Sequence, residues 1–195
     1  MPEGDAVRRL AGTLDELFLG GTVSASSPQG RFASSAALLD GWVMQRVRVH
    51  GKHMFIGFVP PAPGETYEAG VALLEGAAAG SGEPILGEDA PWPDRWVHIH
   101  LGLYGWWRFN GDETVVDEGH GVAHRIPNVQ KGEWSGHTET RWGEGFGEAK
   151  AGEWEPPEPV GAVRLRVYND HAVADLIGPN RCDLITDEER ITAES

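Results

Sequence analysis

After one helical segment at its start, this chain of 195 residues consists of short strand-like segments separated by turn-forming residues. That succession restricts the fold more than any other feature. Residues 43–59 predict a hairpin, because an alternating segment at 43–49 precedes a His50-Gly51 turn and an apolar segment at 54–59 follows it. Further strand-like segments lie at 96–101, 104–109, 162–167 and 172–176. The pattern predicts a mainly β fold with α elements: an antiparallel β-sandwich or barrel with an N-terminal helix.

The predicted helix carries a single apolar stripe with the spacing of an amphipathic α-helix. The stripe consists of Val7, Leu10, Ala11, Leu14, Leu17 and Phe18. Pro2 suits a first helical turn, and Gly20-Gly21 ends the segment. A second helix start is indicated near the other end of the chain, where residues 186–189 have the pattern of a capping box.

Two stretches interrupt this pattern and are predicted to be long loop insertions, at about 60–95 and 110–160. Both are rich in Gly and Pro, which favour turns and loops. The chain has a formal net charge of −14. Most of that charge falls in or beside these insertions, so the remainder of the chain is nearly neutral. A nucleic-acid partner, which overall negative charge disfavours, therefore stays compatible with the sequence.

Composition excludes several classes of protein. Hydrophobic residues make up 40% and charged residues 24%, which is typical of a globular domain. No apolar run approaches the roughly 18–20 residues that a membrane span needs. The start of the chain lacks the basic and apolar regions of a signal peptide, and the single cysteine, Cys182, excludes an intrachain disulfide. We therefore expect a cytoplasmic protein without membrane contact.

The N-terminus offers an unusual nucleophile. Removal of Met1 before the small residue Pro2 would leave a secondary amine, and a terminal amine has a pKa of about 7.7–8. Amines form Schiff bases with carbonyl carbons, and Glu3 would stand beside this one as an acid/base group. The alternative is that Pro2 only starts the helix and Glu3 only complements its dipole.

Two predicted turns carry side chains that could meet a ligand. Lys52 follows Gly51 at the hairpin turn, where it is either a binding residue or an ordinary solvated lysine. Leu103 and Tyr104 lie in a turn between Gly102 and Gly105. An exposed apolar turn of this kind resembles the wedges that proteins insert between base steps. The alternative is that both side chains fold back into the core.

The eight histidines give a weak indication of a metal site. His98 and His100 alternate along a strand and therefore share a face. His120 and His124 are four residues apart, a spacing that could hold a metal on a helix, but the surrounding Gly and Pro disfavour a helix there. We therefore predict no metal site.

Several ordered motifs together resemble the formamidopyrimidine-DNA glycosylase / endonuclease VIII family, and most closely its actinobacterial endonuclease VIII-like branch. They span residues 2–186, apart from the two insertions. The motifs are MPEGDAVRRLA at 1–11, SSPQGRFA at 26–33, GKHMF at 51–55, VHIHLGLYG at 97–105, VRLR at 163–166 and ADLIGPNRCDLIT at 174–186. Each motif alone is weakly specific, but their occurrence in order along one chain is strongly so.

The resemblance implies a base-excision-repair DNA glycosylase with AP lyase activity, which removes oxidised bases and then cleaves the strand. Pro2 corresponds to the Schiff-base nucleophile, Glu3 to the acid/base that opens the deoxyribose ring, and Lys52 to a lysine that grips DNA and aids catalysis. Leu103, with Tyr104 beside it, corresponds to the side chains that fill the gap left by an extruded base. Arg31, in the second motif, is added as a DNA-binding residue.

The same resemblance implies a domain organisation and a set of partners. Residues 1–186 correspond to the N-terminal catalytic domain, and 187–195 to the start of a linker helix. The family's helix–two-turn–helix module and zinc finger have no counterpart here, so we expect no cofactor. Ile177 stands where the family usually has an arginine. The expected partner is damaged double-stranded DNA, with a second protein or a missing C-terminal half completing the DNA clamp.

Three functional hypotheses follow. The first is a glycosylase / AP lyase domain, and the second is a truncated or degenerate homologue that binds DNA or a protein without catalysis. The third is an unrelated β-rich binding module that uses its histidines. Borohydride trapping on abasic DNA distinguishes the first two, and metal analysis of the purified protein tests the third.

Overall fold

The structure, a computed structural model, describes residues 2–61, 92–116 and 139–195. Three α-helices, one short 3₁₀-helix and nine strands lie in these ranges. The helices are α1 (Pro2–Phe18), α2 (Ala33–Leu39) and α3 (Asp187–Glu194), and the 3₁₀-helix is Glu113–Val116. The strands are β1 (Ser24–Ser26), β2 (Val43–His50), β3 (His53–Val59), β4 (Arg95–His100), β5 (Trp106–Gly111), β6 (Thr140–Trp142), β7 (Val163–Tyr168), β8 (Ala172–Ile177) and β9 (Arg181–Ile185).

The strands form two sheets that enclose a common core. One sheet has five strands in the order β1-β7-β8-β5-β6, and the other has four in the order β2-β3-β4-β9. All neighbouring strands are antiparallel except β5 and β6, which are parallel. One cluster of buried apolar side chains contains residues of α1 and of both sheets. The structure therefore confirms the prediction of a mainly β, mostly antiparallel sandwich with an N-terminal helix.

Helix α1 covers the core with the stripe that its sequence predicts. All six residues of that stripe are buried, and Leu10, Leu14 and Phe18 are fully so. The helix ends where Gly20 adopts a positive φ of 80°, a conformation that glycine reaches without a steric penalty. The backbone N–H of Gly20 then donates to the carbonyl of Met44, 2.8 Å away, which fixes the end of α1 to the start of β2.

Strand β2 departs from the simple alternation of its sequence. The register shifts between Met44 and Arg46, so a β-bulge interrupts the pairing with β3. Met44 is fully buried, whereas beyond the bulge Val47 and Val49 are the residues that pack against the core. The bulge therefore moves the core-facing positions by one residue within a single strand.

Two parts of the predicted insertions, 62–91 and 117–138, lie outside the described residues, together with His120 and His124. Within the second predicted insertion, residues 140–142 form β6 and extend the five-stranded sheet. The described remainder of that stretch forms turns that pack Phe146 into the core. Part of the stretch is therefore a component of the sandwich.

Helix α3 begins with the capping box that the sequence predicts. The Thr186 hydroxyl accepts from the backbone N–H of Glu189, and the Glu189 carboxylate accepts from the backbone N–H of Thr186. The helix packs against the four-stranded sheet, where the indole N–H of Trp96 donates to Asp187 at 3.0 Å. None of the described helices is long and apolar enough to cross a membrane.

Candidate functional site

The turn between β2 and β3 presents Lys52. Gly51 has a positive φ of 60°, and His50 pairs directly with His53 to close the hairpin. Lys52 is exposed at this turn. The sequence prediction of a lysine at a tight hairpin turn is therefore confirmed, whereas its binding role stays a prediction.

The turn between β4 and β5 presents two large apolar side chains to solvent. Leu103 is 89% exposed and Tyr104 is 82% exposed. The turn is closed by the backbone N–H of Gly105, which donates to the Leu101 carbonyl at 2.9 Å. A Cβ at Gly105 would lie 2.4 Å from that oxygen, so this tight turn requires glycine. The exposure excludes the alternative that Leu103 and Tyr104 fold back into the core.

A third turn, between β8 and β9, packs against this apolar turn. The backbone N–H of Asn180 donates to the His100 carbonyl at 2.8 Å. Gly178 has a positive φ of 64°, and a Cβ there would lie 3.0 Å from the Tyr104 carbonyl oxygen. The β8–β9 turn therefore fixes the base from which Leu103 and Tyr104 project.

The strand register brings these three turns to one end of the four-stranded sheet. His53, which follows Lys52, pairs with His100, and His100 pairs with Arg181. We call this the turn end of the sheet, made of residues 50–53, 100–105 and 178–181. Lys52, Leu103 and Tyr104, three of the predicted site residues, lie at this end.

The other predicted site residues lie elsewhere or are only partly described. Pro2 and Glu3 are the first residues of α1, but their side chains are outside what the structure describes. Arg31 is exposed in the turn between β1 and α2. That turn is fixed to the five-stranded sheet, because the backbone N–H of Gln29 donates to the Val163 carbonyl at 2.9 Å.

A histidine pair at the turn end was not predicted as a functional feature. Nδ1 of His53 lies 2.9 Å from Nε2 of His98, so the two rings share a hydrogen bond. His98 is buried, with 3% exposure, and its ring stacks on Phe55 at 4.5 Å between centroids. The alternation of His98 and His100 was visible in the sequence, but the partner His53 becomes apparent only from the register of β3 against β4.

Both rings of this pair favour the neutral state. Burial, with smaller contributions from the neighbouring His53 and Arg181, lowers the pKa of His98 to about 4, and Asp183 partly offsets these effects. Burial also lowers the pKa of His53, with smaller contributions from the positive charges of His100, Arg181 and His50. The pair is therefore uncharged at neutral pH, and one N–H is shared between two nitrogens.

The surrounding face of the sheet is rich in groups that carry or can acquire positive charge. Residues directly opposite one another in an antiparallel sheet project from the same face. One such row at the turn end consists of His50, His53, His100 and Arg181. The nearby carboxylates already have cationic partners: Asp183 pairs with Arg181 at 3.2 Å, and Glu194 with Arg48 at 2.9 Å.

The described residues contain no group of three or more His, Cys, Asp or Glu side chains arranged to hold a metal ion. Cys182 points into the core, and burial raises the pKa of its thiol to about 12. The thiol is therefore a poor metal ligand and a poor nucleophile at neutral pH.

Comparison with known proteins adds sequence relatives and structural neighbours. The chain is 31% identical over 189 residues to proteins named Endonuclease 8 1 from Mycobacterium bovis and Mycobacterium tuberculosis. The match covers 97% of this chain and 44% of each relative, so the chain spans less than half the length of the curated relatives it matches. No protein-family model matches the chain.

The solved structures to which the chain is similar include two complexes of Fpg with DNA. A complex of an LlFpg mutant with THF-containing DNA has a TM-score of 0.49 and 13% identity, covering 99% of this chain and 45% of that one. A complex of Lactococcus lactis FPG (MutM) with FAPY-dG-containing DNA has a TM-score of 0.46 and 12% identity, covering 98% of this chain and 46% of that one.

The sequence match, over almost the whole chain, makes this protein a homologue of Endonuclease 8 1, matched over the N-terminal part of that protein. This result confirms the resemblance that the ordered sequence motifs indicated.

Proposed function

We propose that this chain is the catalytic N-terminal domain of a DNA glycosylase with AP lyase activity, which acts on oxidised bases in double-stranded DNA. The observation that carries the proposal is the turn end, where an exposed lysine and an exposed apolar turn lie side by side on an endonuclease 8 homologue. Lys52 would contact the phosphate backbone, and Leu103 and Tyr104 would enter the space left by the extruded nucleotide.

The direction of α1 supports a role for Pro2 at the same place. The helix contacts β2, and the backbone N–H of Gly20, just after the helix, donates to the carbonyl of Met44 near the start of that strand. A helix of 17 residues is about 25 Å long, and a strand of eight residues is about 27 Å long. A helix that runs along β2 from that attachment would have Pro2 near Lys52.

In the proposed mechanism the Pro2 amine attacks C1′ of the deoxyribose, and the damaged base leaves with the electron pair of its bond to C1′ and takes up the proton that the amine loses. Glu3 would donate a proton as the sugar ring opens, so the adduct becomes a cationic iminium. The iminium withdraws electrons from C2′, which loses a proton as the 3′ phosphate leaves. Elimination of the 5′ phosphate follows, and hydrolysis of the remaining adduct releases Pro2.

Borohydride trapping on DNA with an abasic site tests the nucleophile. Hydride reduces the iminium to a stable amine and thereby links protein to DNA. We expect trapping with protein that lacks Met1 and none with protein that retains it, since an amide nitrogen has a delocalised lone pair. Pro2→Gly should retain part of the trapping, because a primary amine also forms an imine. Equal trapping with Met1 retained would refute the assignment of Pro2.

A second candidate function is a homologue that binds DNA without catalysis. It is favoured by the exposure of Lys52, Leu103 and Tyr104 at the turn end, because these side chains can contact DNA without any bond-breaking step. The same trapping experiment separates the two, since a non-catalytic homologue would bind DNA without ever forming the reducible adduct.

A further inference from the structure

The hydrogen-bonded rings of His53 and His98 are polar groups at a position where core packing alone would require only apolar ones. His98 is buried against Phe55 and directs Nε2 towards Nδ1 of His53. His53 is itself only partly buried, so its second ring nitrogen, Nε2, remains for another partner. The buried ring of His98 is thus hydrogen-bonded to the partly exposed ring of His53.

The charges around His53 favour an anion as that partner. The groups that face it are Arg48 and His50 on β2, His98 and His100 on β4, Arg181 and Asp183 on β9, and Lys52 in the adjoining turn, with Glu194 of α3 beyond Arg48. Asp183 and Glu194 are each paired with an arginine. The excess of groups that carry or can acquire positive charge therefore suits a phosphodiester.

We propose that His53 is a proton-linked contact for a backbone phosphate of DNA, and that His98 is the positioning residue that accepts the Nδ1–H of its charged form. This inference rests on the proposed function, because it takes DNA as the ligand. It assigns to the pair a part in binding and leaves the bond-breaking steps to other residues.

The proton balance follows from the geometry. In the free protein at neutral pH both rings favour the neutral form, because burial lowers their pKa values. A bound phosphate favours the imidazolium, so His53 takes up one proton from solvent, and its Nε2–H would face the phosphate. Its Nδ1–H then donates to Nε2 of His98, which stays neutral because it is buried. Since the bound state holds one more proton, DNA affinity rises as the pH falls through the pKa of His53 in the complex.

The test measures the affinity for a duplex with a tetrahydrofuran abasic-site analogue at low salt, at pH 8, 7 and 6. For the wild type we expect a several-fold rise between pH 8 and pH 6, limited to tenfold per pH unit for one proton. His98→Leu should lose most of this rise. His98→Gln should retain much of it, because its amide oxygen can accept the Nδ1–H.

A matched control and a second variant keep the test decisive. His171→Gln should behave as wild type, because His171 pairs with Asp112 at the opposite end of the five-stranded sheet. His53→Gln should lose the rise as well, and it applies even if His98→Leu does not fold. Calorimetry in two buffers of different ionisation enthalpy should show proton uptake in wild type and in His171→Gln, and less in His53→Gln and His98→Leu.

The outcomes separate this inference from the function on which it rests. The same pH dependence in wild type and His53→Gln, or in wild type and folded His98→Leu, would overturn the inference while leaving DNA binding intact. Equal losses in His98→Leu and His98→Gln would overturn the role of His98 as an acceptor. If the wild type bound no DNA at any pH, the proposed function would fail and the inference with it.

Discussion

At the scale of single residues, the exposure of Leu103 is the most informative value. A leucine that is 89% exposed contributes almost nothing to the stability of the free protein through burial. Its expected contribution lies in the complex, where an apolar side chain can fill the space vacated by an extruded base. Stability and function can therefore be measured separately at this position.

We expect Leu103→Ala to slow base excision from duplex DNA and to leave strand cleavage at an abasic site in single-stranded DNA nearly unchanged. The reason is that extrusion from a duplex costs a few kcal/mol of stacking and pairing, whereas a single strand has little stacking to hold open. Rates on the two substrates measure the effect. An equal slowing on both would show that Leu103 does not act as a wedge.

Glu3→Gln is the matched comparison for that experiment. Loss of the acid/base group should slow base excision about 10²–10⁴-fold, both from duplex DNA and from a single strand that carries the damaged base, because proton transfer is needed whatever the strandedness. A variant that is slow only on duplex DNA would place Glu3 in base extrusion instead of proton transfer.

At the scale of elements, the close turn before β5 depends on a single glycine. A Cβ at Gly105 would approach backbone atoms of Leu101, which cannot move without distorting the end of β4. The backbone conformation of the apolar turn therefore depends on glycine at position 105, although the side chains of Leu103 and Tyr104 are exposed.

We predict that Gly105→Ala lowers the free energy of unfolding by about 1–3 kcal/mol, the range for locally strained backbone. Urea unfolding measures the change. Gly12→Ala is the control, because Gly12 is exposed on α1 with nothing within 4 Å of its Cβ position, so alanine should stabilise the helix by about 0.5–1 kcal/mol. A neutral Gly105→Ala would mean that the turn can relax.

The elements predicted best were those with a regular pattern over many residues. The stripe of α1, the alternation of β2 and the strand-like segments of β3, β7 and β8 were sufficient to place these elements and to indicate a sandwich. Strand β1 and helix α2 were missed because they are short and largely small or polar. The hydrogen bond between His53 and His98 could not be predicted, because it depends on strand register, which pattern alone does not fix.

At the scale of the whole molecule, the net charge predicts weak binding to DNA. The chain carries a net charge of −14, which disfavours approach to the phosphate backbone. We expect DNA affinity below that of complete specific binders, whose Kd is about 10⁻⁸ M or lower, and a steep dependence on salt. Nanomolar binding at physiological salt would contradict this expectation.

The stretch 62–91 offers a direct test of the charge contribution, since it holds six acidic and no basic residues. Replacing those six by Gln or Asn should raise DNA affinity at low salt, with a gain that shrinks as salt screens the charges. Unchanged affinity at low salt would show that the stretch does not approach the bound DNA.

The packing of the β8–β9 turn beneath the β4–β5 turn has a consequence for engineering. Gly178 packs closely against the Tyr104 carbonyl, and the backbone N–H of Asn180 donates to the His100 carbonyl. About 75 residues separate the two turns in the chain. A turn grafted from a relative in place of residues 102–105 would therefore pack against a β8–β9 turn of different sequence, unless residues 178–181 were exchanged with it. The two segments form one transplantable module, and libraries that vary the apolar turn should vary both halves together.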